Sequence, residues 1–160
     1  MNKKIKLFKR RVNDFFDFLV HEYGFEKMDR DKDILSYGTG VRYIHENLFI
    51  DITFIFRGSS IEVSFGRLSK KGVDEENYSY HMLLGILNHT EYYKFGASIA
   101  NSKGDLLELL EMYSKSLRKD GLKILKNDVS IFNKMKEAEN NGSGLCPPYY
   151  DQNKIISKFI

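Results

Sequence analysis

Four histidines, His21, His45, His81 and His89, are the side chains best suited to bind a metal or to transfer a proton near neutral pH. None lies three or four residues from another, the spacing that places two ligands on one face of a helix. The sequence therefore predicts no metal site. His45 falls on the core side of a predicted strand, where we expect it to pack and hydrogen-bond rather than to catalyse.

A short segment, His89-Thr90-Glu91, matches the His-x-Glu part of the zinc deaminase pattern. Those enzymes also need a downstream Pro-Cys-x-x-Cys, whereas Cys146-Pro147-Pro148 supplies one cysteine in the wrong order. Cys146 is the only cysteine, so it forms no disulfide within the chain, and no adjacent basic residue would activate its thiol. We expect no cofactor and no catalytic residue.

Two glycine-containing segments resemble fragments of known motifs. The segment 96–100, Gly-Ala-Ser-Ile-Ala, lacks the last glycine of a nucleophile elbow and the strand that precedes it. Gly38-Thr39-Gly40 lacks the third glycine and the strand-to-helix context of a dinucleotide site. Both are predicted to be turns, the second within a hairpin.

An enzyme whose catalytic residues come from positions distant in the sequence remains an alternative function.

The length and composition are those of one globular domain. The chain has 160 residues, of which 42% are hydrophobic and 29% are charged, with a net charge of +3. No apolar segment approaches the roughly 20 residues of a membrane-spanning helix. No apolar run follows the basic start as it would in a signal peptide. We expect a cytoplasmic protein with no membrane segment.

The residues that follow the start predict a helix within residues 1–24. Apolar side chains recur there at steps of three and four, and Gly24 is placed to end the helix: Ile5, Phe8, Val12, Phe15, Phe16, Leu19 and Tyr23. This stripe is typical of a helix that packs one face on a core.

Residues 33–68 predict an antiparallel meander of three or four strands. Residues 48–57 alternate with period two, and a turn at Glu46-Asn47 sets Val41 opposite Ile52 and Tyr43 opposite Ile50. A two-residue turn at Gly58-Ser59 is predicted to follow. It would place three core pairs across the hairpin: Phe56 with Ile61, Phe54 with Val63, and Ile52 with Phe65. Residues 34–37 could add a fourth strand.

The remainder is predicted to be helical over residues 76–138, after a charged loop at 69–76. Ser102 or Asp105 can begin one helix, Gly121 can end or bend it, and Asp128 can cap a final helix through Glu137. Residues 139–160 are predicted to form a linker and a tail. The order of helix, meander and helices predicts a single α+β domain whose C-terminal helices cover one face of the sheet.

The face of the meander away from the core combines apolar and charged residues, the composition of a protein-binding surface. The expected contact residues on this outer face are Arg42, Ile44, Phe49, Asp51, Ile55, Arg57 and Glu62. The alternative is that the later helices or the tail cover it. Asp74, Glu75 and Glu76 are contiguous carboxylates that could also contact a partner, although a solvated helix start is the simpler interpretation.

Six of the first eleven residues are basic and could contact phosphate. On the helical wheel they spread over the whole polar half, with Asp14 and Asp17 among them, so a solvated helix face is the simpler interpretation. The same acidic residues weaken the case for a membrane surface.

Several segments together resemble small bacterial proteins of toxin–immunity loci. These segments are an N-terminal helix ending in Tyr23-Gly24-Phe25, hairpins between Ile34 and Leu68, and the run Leu-Lys-Ile-Leu-Lys-Asn-Asp-Val-Ser-Ile-Phe at 122–132. The resemblance implies a protein that binds a cognate toxin and blocks it without catalysis. The first hypothesis is therefore a protein-binding module that neutralises a toxin domain. A nucleic-acid or anionic-surface binder that uses the basic helix is the alternative.

Overall fold

The first helix begins the fold and provides one wall of the core. A computed structural model describes residues 3–30, 38–57, 59–87 and 100–140. Helix α1 spans Lys3–His21, and the predicted stripe is buried at Phe8, Val12, Phe16 and Leu19. Gly24 takes the predicted left-handed conformation with φ 71°, and Phe25 N–H then donates to the carbonyl of Leu19 at 2.9 Å, which closes the helix end.

Five antiparallel strands form one sheet in which each strand pairs with the next along the chain. They are β1 (Glu26–Asp29), β2 (Gly38–His45), β3 (Leu48–Ile55), β4 (Ser60–Leu68) and β5 (Asp74–Ser79). The α+β class and the meander are confirmed, with five strands instead of three or four. The predicted strand at 34–37 lies outside the described residues.

The first predicted hairpin is correct and the second is displaced. Val41 pairs with Ile52 and Tyr43 with Ile50 around the turn at Glu46 and Asn47, as predicted. Across the second hairpin Phe54 pairs with Ile61 rather than with Val63, a shift of two residues. The connection between Ile55 and Ser60 is therefore longer than the predicted two-residue turn, and a shift of two leaves every paired side chain of β3 and β4 on its predicted face.

Two predicted turns prove to be strand. Gly38-Thr39-Gly40 opens β2, where Gly38 pairs with Ile55 and Gly40 with Thr53, because β3 is long enough to extend the ladder that far. Asp74, Glu75 and Glu76 belong to β5, not to a loop or a helix start. This strand pairs with β4 through Tyr78 opposite Phe65, its one buried residue.

Four helices follow the sheet within the part of the chain that the structure describes. They are α2 (Tyr80–Ile86), α3 (Lys103–Asp120), α4 (Leu122–Leu125) and α5 (Val129–Asn140). Ser102 and Asp105 form the capping box at the start of α3, since each side chain accepts the backbone N–H of the other. Asp128 accepts the N–H of Ser130 at 2.9 Å, which confirms the predicted cap of the last helix.

Helices α1, α3 and α5 cover one face of the sheet, and the apolar side chains between them form a single core. Phe8 packs on Phe54, Phe132 packs on Phe65, and the hydroxyl of Ser114 donates to the carbonyl of Phe15 at 2.6 Å, which ties α3 to α1. This is the predicted two-layer arrangement. Among the described residues no helix is both long and apolar enough to cross a membrane.

Gly66 in β4 permits an unusually close approach of β5 and of a ring from β3. A Cβ at this position would lie 1.8 Å from the carbonyl oxygen of Glu76 and 2.8 Å from Cζ of Phe49. We therefore expect Gly66→Ala to lower the free energy of unfolding by about 1–3 kcal/mol, because strand and ring must both move. Urea denaturation would measure it.

Gly104 in the first turn of α3 supplies the matched control. Its added Cβ would meet only the Ser102 hydroxyl, at an ordinary 3.5 Å, so Gly104→Ala should be neutral or stabilising by up to about 1 kcal/mol. Equal effects of the two substitutions would contradict the close approach at Gly66.

Candidate functional site

The outer face of the sheet carries a cluster of charges centred on Arg42 of β2. The Arg42 guanidinium donates from Nε and Nη2 to the two oxygens of Asp51, both at 2.7 Å. It also donates from Nη1 and Nη2 to the two oxygens of Asp74, at 2.6 and 2.9 Å. One guanidinium therefore holds two carboxylates in bidentate geometry and joins β2 to β3 and to β5.

Arg30, which follows β1, completes this cluster. Its Nη1 donates to Oδ2 of Asp51, so Asp51 accepts from two arginines. We call the four side chains Arg30, Arg42, Asp51 and Asp74 the outer cluster; they carry two positive and two negative charges. Their formal charge sums to zero, which lowers the cost of removing them from water.

The outer cluster is buried at its centre, although it lies opposite the core. Arg42 is 7% exposed and Asp51 is 2% exposed. Phe49 beside them is fully buried, yet it does not belong to the apolar core on the helix side. The Arg42 guanidinium carbon lies 4.0 Å from the centroid of the Phe49 ring, in cation–π geometry. Phe49 is thus enclosed between this guanidinium and the backbone at Gly66.

Two charges of the outer cluster, those of Arg42 and Asp74, are stabilised in their ionised forms by their mutual hydrogen bonds. Burial acts to lower the pKa of Arg42, but its hydrogen bonds to Asp51 and Asp74 outweigh burial and raise that pKa. The hydrogen bond from Arg42 lowers the pKa of Asp74, against the opposing effect of partial burial. Because the N–H groups of Arg42 are engaged by four carboxylate oxygens, the cluster has the character of a structural clamp rather than an anion-binding site.

Three of the predicted contact residues are buried and therefore not accessible to a partner. The sequence predicts Arg42, Phe49 and Asp51 on an open surface, and the structure instead buries them. Arg42 and Asp51 pair across β2 and β3, and the guanidinium of Arg42 covers the ring of Phe49. Ile44 is half-buried on the same face. Arg42, Phe49 and Asp51 form the centre of the outer face and are closed to a partner in this structure, whereas Ile44 is partly exposed.

Three other predicted contact residues remain accessible near the turn between β3 and β4. Ile55 is partly exposed, and Arg57 and Glu62 are exposed. Phe56, predicted on the core side, lies in the turn and is 38% exposed. We call these four residues the hairpin patch. Sequence reasoning missed Phe56 because the two-residue turn assumed for Gly58-Ser59 kept it within the strand.

The backbone of this hairpin is fixed by contacts to two other segments. The carbonyl of Ser59 accepts the N–H of Ala100 at 2.7 Å, and its hydroxyl lies 3.3 Å from Nζ of Lys4 in α1. A cavity of about 150 Å³ lies beside it, lined by Lys4, Ile5, Phe54, Phe56 and Ser59. The hairpin patch is therefore presented on an anchored turn.

The three carboxylates of β5 have different environments. Asp74 belongs to the outer cluster, and Glu76 pairs with Arg67 at 3.4 Å. Glu75 is exposed. They lie near the end of β4 at Leu68, whereas the hairpin patch lies near its start at Ser60. The length of β4 separates the two regions by about 17–27 Å, so the predicted contact residues near its two ends form separate groups.

The histidines within the described residues occupy separate environments. His45 packs on Phe25 at 5.4 Å between ring centroids, with Nδ1 at 3.2 Å from the carbonyl of Gly24, in agreement with its expected packing role. His21 pairs with Asp17 on α1, and His81 packs against Tyr113. No group of three potential metal ligands forms within the described ranges. His89, segment 96–99 and Cys146 lie outside those ranges.

Part of the basic N-terminal cluster is engaged by neighbouring acids. Lys9 lies 3.3 Å from Asp29 at the edge of the sheet, and Arg11 pairs with Asp14 at 2.9 Å. Lys3, Lys6 and Arg10 are exposed. This distribution resembles a solvated helix face more than a continuous basic stripe.

Comparison with models of known families, with characterised proteins and with solved structures found no match to this chain. A functional assignment therefore depends on the arrangement of the chain's own side chains.

Arg42→Met is expected to lower the free energy of unfolding by about 3–5 kcal/mol, because it leaves Asp51 buried without its main partner. Adding Asp51→Asn should recover part of that loss by removing the uncompensated charge. Urea denaturation at neutral pH measures both variants. Lys115→Met, which breaks an exposed pair with Glu111, should cost less than about 1 kcal/mol. A loss for Arg42→Met no larger than for this control would contradict the clamp.

The lowered pKa of Asp74 makes part of the stability depend on pH. A carboxyl whose pKa is lower in the folded chain stabilises it above the ordinary value of 3.8, and this contribution is lost as the pH falls through the folded pKa. We expect Asp74→Asn to be less stable than the parent at neutral pH, with the difference shrinking below pH 3.8. Denaturation midpoints across this range test it. Asp14→Asn is the control, because Asp14 is exposed on α1. If the stability difference between Asp74→Asn and the parent did not change with pH, the lowered pKa of Asp74 would be contradicted.

Proposed function

We propose that this chain is a non-catalytic protein-binding module and that the hairpin patch is its principal contact surface. The observation that carries the proposal is the exposure of Phe56 in the turn between β3 and β4, close along the chain to partly exposed Ile55 and to exposed charges of both signs, Arg57 and Glu62. Aromatic and aliphatic anchors contribute most of the binding energy at interfaces, and surrounding charges select the partner.

The anchoring of the hairpin supports this assignment. A loop that is ordered before binding loses less conformational entropy when a partner docks. The hydrogen bond from Ala100 to Ser59 and the contact of Lys4 with Ser59 hold the turn against the body of the domain. The clamp at Arg42 stiffens the strands that lead into it.

The partner class follows from the resemblance to bacterial immunity proteins, which implies a toxin domain met in the cytoplasm. In this proposal the hairpin patch binds the toxin, and the exposed Glu75 of β5 is a separate, secondary contact for a basic surface. Because most of the length of β4 lies between the two regions, about 17–27 Å, only a partner of domain size could touch both.

Ile55→Thr combined with Arg57→Glu should abolish partner binding and leave folding intact. Thr keeps the β-branched shape that suits a strand, and Arg57 is exposed, so the stability of the fold should change little. Tagged wild-type and variant chains would be used for affinity capture from the native cell, with quantitative mass spectrometry. We expect one protein to be enriched by the wild type and at least about tenfold less by the variant.

Lys119→Glu is the control, because Lys119 is exposed near the C-terminal end of α3, away from the hairpin, and this variant should capture the same protein as the wild type. The captured protein, expressed alone, should inhibit growth, and co-expression of this chain should relieve that inhibition. Equal capture by the double variant and the wild type would contradict the proposal that the hairpin patch is the contact surface. Recovery of nucleic acid in place of a protein would favour the basic-helix alternative.

A further inference from the structure

The edge strand β1 is short and open along its whole length. All four of its residues, Glu26–Asp29, are exposed, and Met28 is 49% exposed. It pairs on one side with β2 and occupies the end of the described five-strand order. An open edge presents unpaired backbone groups that can accept another strand.

The hydrogen-bond pattern determines which backbone groups face outward. Arg30 N–H donates to the carbonyl of Gly40 at 3.1 Å, so this residue pair is a hydrogen-bonded one. Hydrogen-bonded and non-hydrogen-bonded pairs alternate along an antiparallel ladder. Glu26 and Met28 therefore direct their N–H and C=O groups to β2, while Lys27 and Asp29 direct theirs away from the sheet.

Only residues with outward groups can bond to a strand added at this edge. If that strand is β1 of a second copy, antiparallel pairing allows three central registers. Two of them place like charges opposite each other, Lys27 against Lys27 or Asp29 against Asp29. The third places Lys27 opposite Asp29 of the second copy, Met28 opposite Met28, and Glu26 opposite Arg30. In this register every charged pair has opposite signs, which stabilises cross-strand neighbours.

We propose that two copies of this chain pair through β1 in this third register and form a continuous ten-stranded sheet. The charges of the segment Glu-Lys-Met-Asp-Arg at 26–30 are complementary to those of a second copy that runs in the opposite direction. The two exposed Met28 side chains meet on the symmetry axis. Lys27 and Asp29 exchange backbone hydrogen bonds with the second copy twice, once on each side of that axis.

The opposite edge of the sheet lacks this property. Strand β5, Asp74–Ser79, contains three carboxylates and no basic residue, so self-pairing would produce no opposite-charge pair. Complementarity therefore selects β1 as the edge that a second copy can use, and it leaves the acidic β5 edge for other contacts.

A charge-exchange experiment tests the pairing directly. Lys27→Asp places aspartate opposite Asp29, and Asp29→Lys places lysine opposite Lys27, in both halves of the symmetric interface. Each variant alone should self-associate at least about tenfold more weakly than the wild type. Mixed in equal amounts, the two variants should recover the dimer, because one copy then carries aspartate and the other lysine at both positions, so that each contact joins opposite charges. The weakening of each variant alone tests the register, because in the two other registers the wild type already has the like-charge contact that these variants would have. Sedimentation equilibrium over a concentration series measures each sample.

The wild type should approach twice its monomer mass of 18.7 kDa. Circular dichroism of each variant checks folding, and loss of the Lys9–Asp29 pair in Asp29→Lys should cost little because Asp29 is exposed. A wild type that stays monomeric would overturn the proposal, as would variants that dimerise as well as the wild type. Failure of the mixture to associate would reject this register.

Discussion

The bidentate grip of Arg42 on both Asp51 and Asp74 is the interaction on which the outer face of the sheet depends. It connects three of the five strands through one planar group, and Arg30 extends it to the end of β1. Two charges at 7% and 2% exposure have little water to replace a missing partner, so each residue requires the others. The ring of Phe49 beneath the guanidinium fills the remaining space, and only glycine fits at position 66 below it.

Because of this clamp, side chains are buried on both faces of the sheet, and the two buried regions differ in composition. The helix side is a continuous apolar core, whereas the outer side has a small ionic centre with one aromatic ring. The centre of the outer face is consequently closed, and the accessible features lie around its rim: the hairpin patch at one end, the acidic strand β5, and the edge strand β1. Any partner of this face must bind at the rim, which is why the hairpin patch, not Arg42 or Phe49, carries the proposed function.

Strand faces were predictable from sequence because period-two alternation in β3 is strong and the turn at Glu46-Asn47 is short. The same correct register places Arg42 directly opposite Asp51, so their pairing could have been recognised. Strands β1 and β5 were missed because edge strands bury few side chains, none in β1 and Tyr78 alone in β5. The displaced hairpin had a different cause, since glycine-containing turns of two and four residues preserve the same faces. The approach of Asp74 to Arg42 could not be predicted, because two strands lie between β2 and β5 and the sequence pattern did not identify β5 as a strand.

The proposed pairing through β1 is compatible with the proposed partner surface for a geometrical reason. A two-fold axis perpendicular to the sheet reverses the strand direction between the two copies, so their β3–β4 turns would lie at opposite ends of the ten-stranded sheet. Within each copy β1 is separated from β3 by β2, so an added strand does not cover Ile55 or Arg57. The self-complementary charges of β1 also discourage other strands, which would need the same order of signs to bind. The edge strand β1 would thus pair preferentially with β1 of a second copy, and the hairpin patch would remain accessible to a partner in both copies.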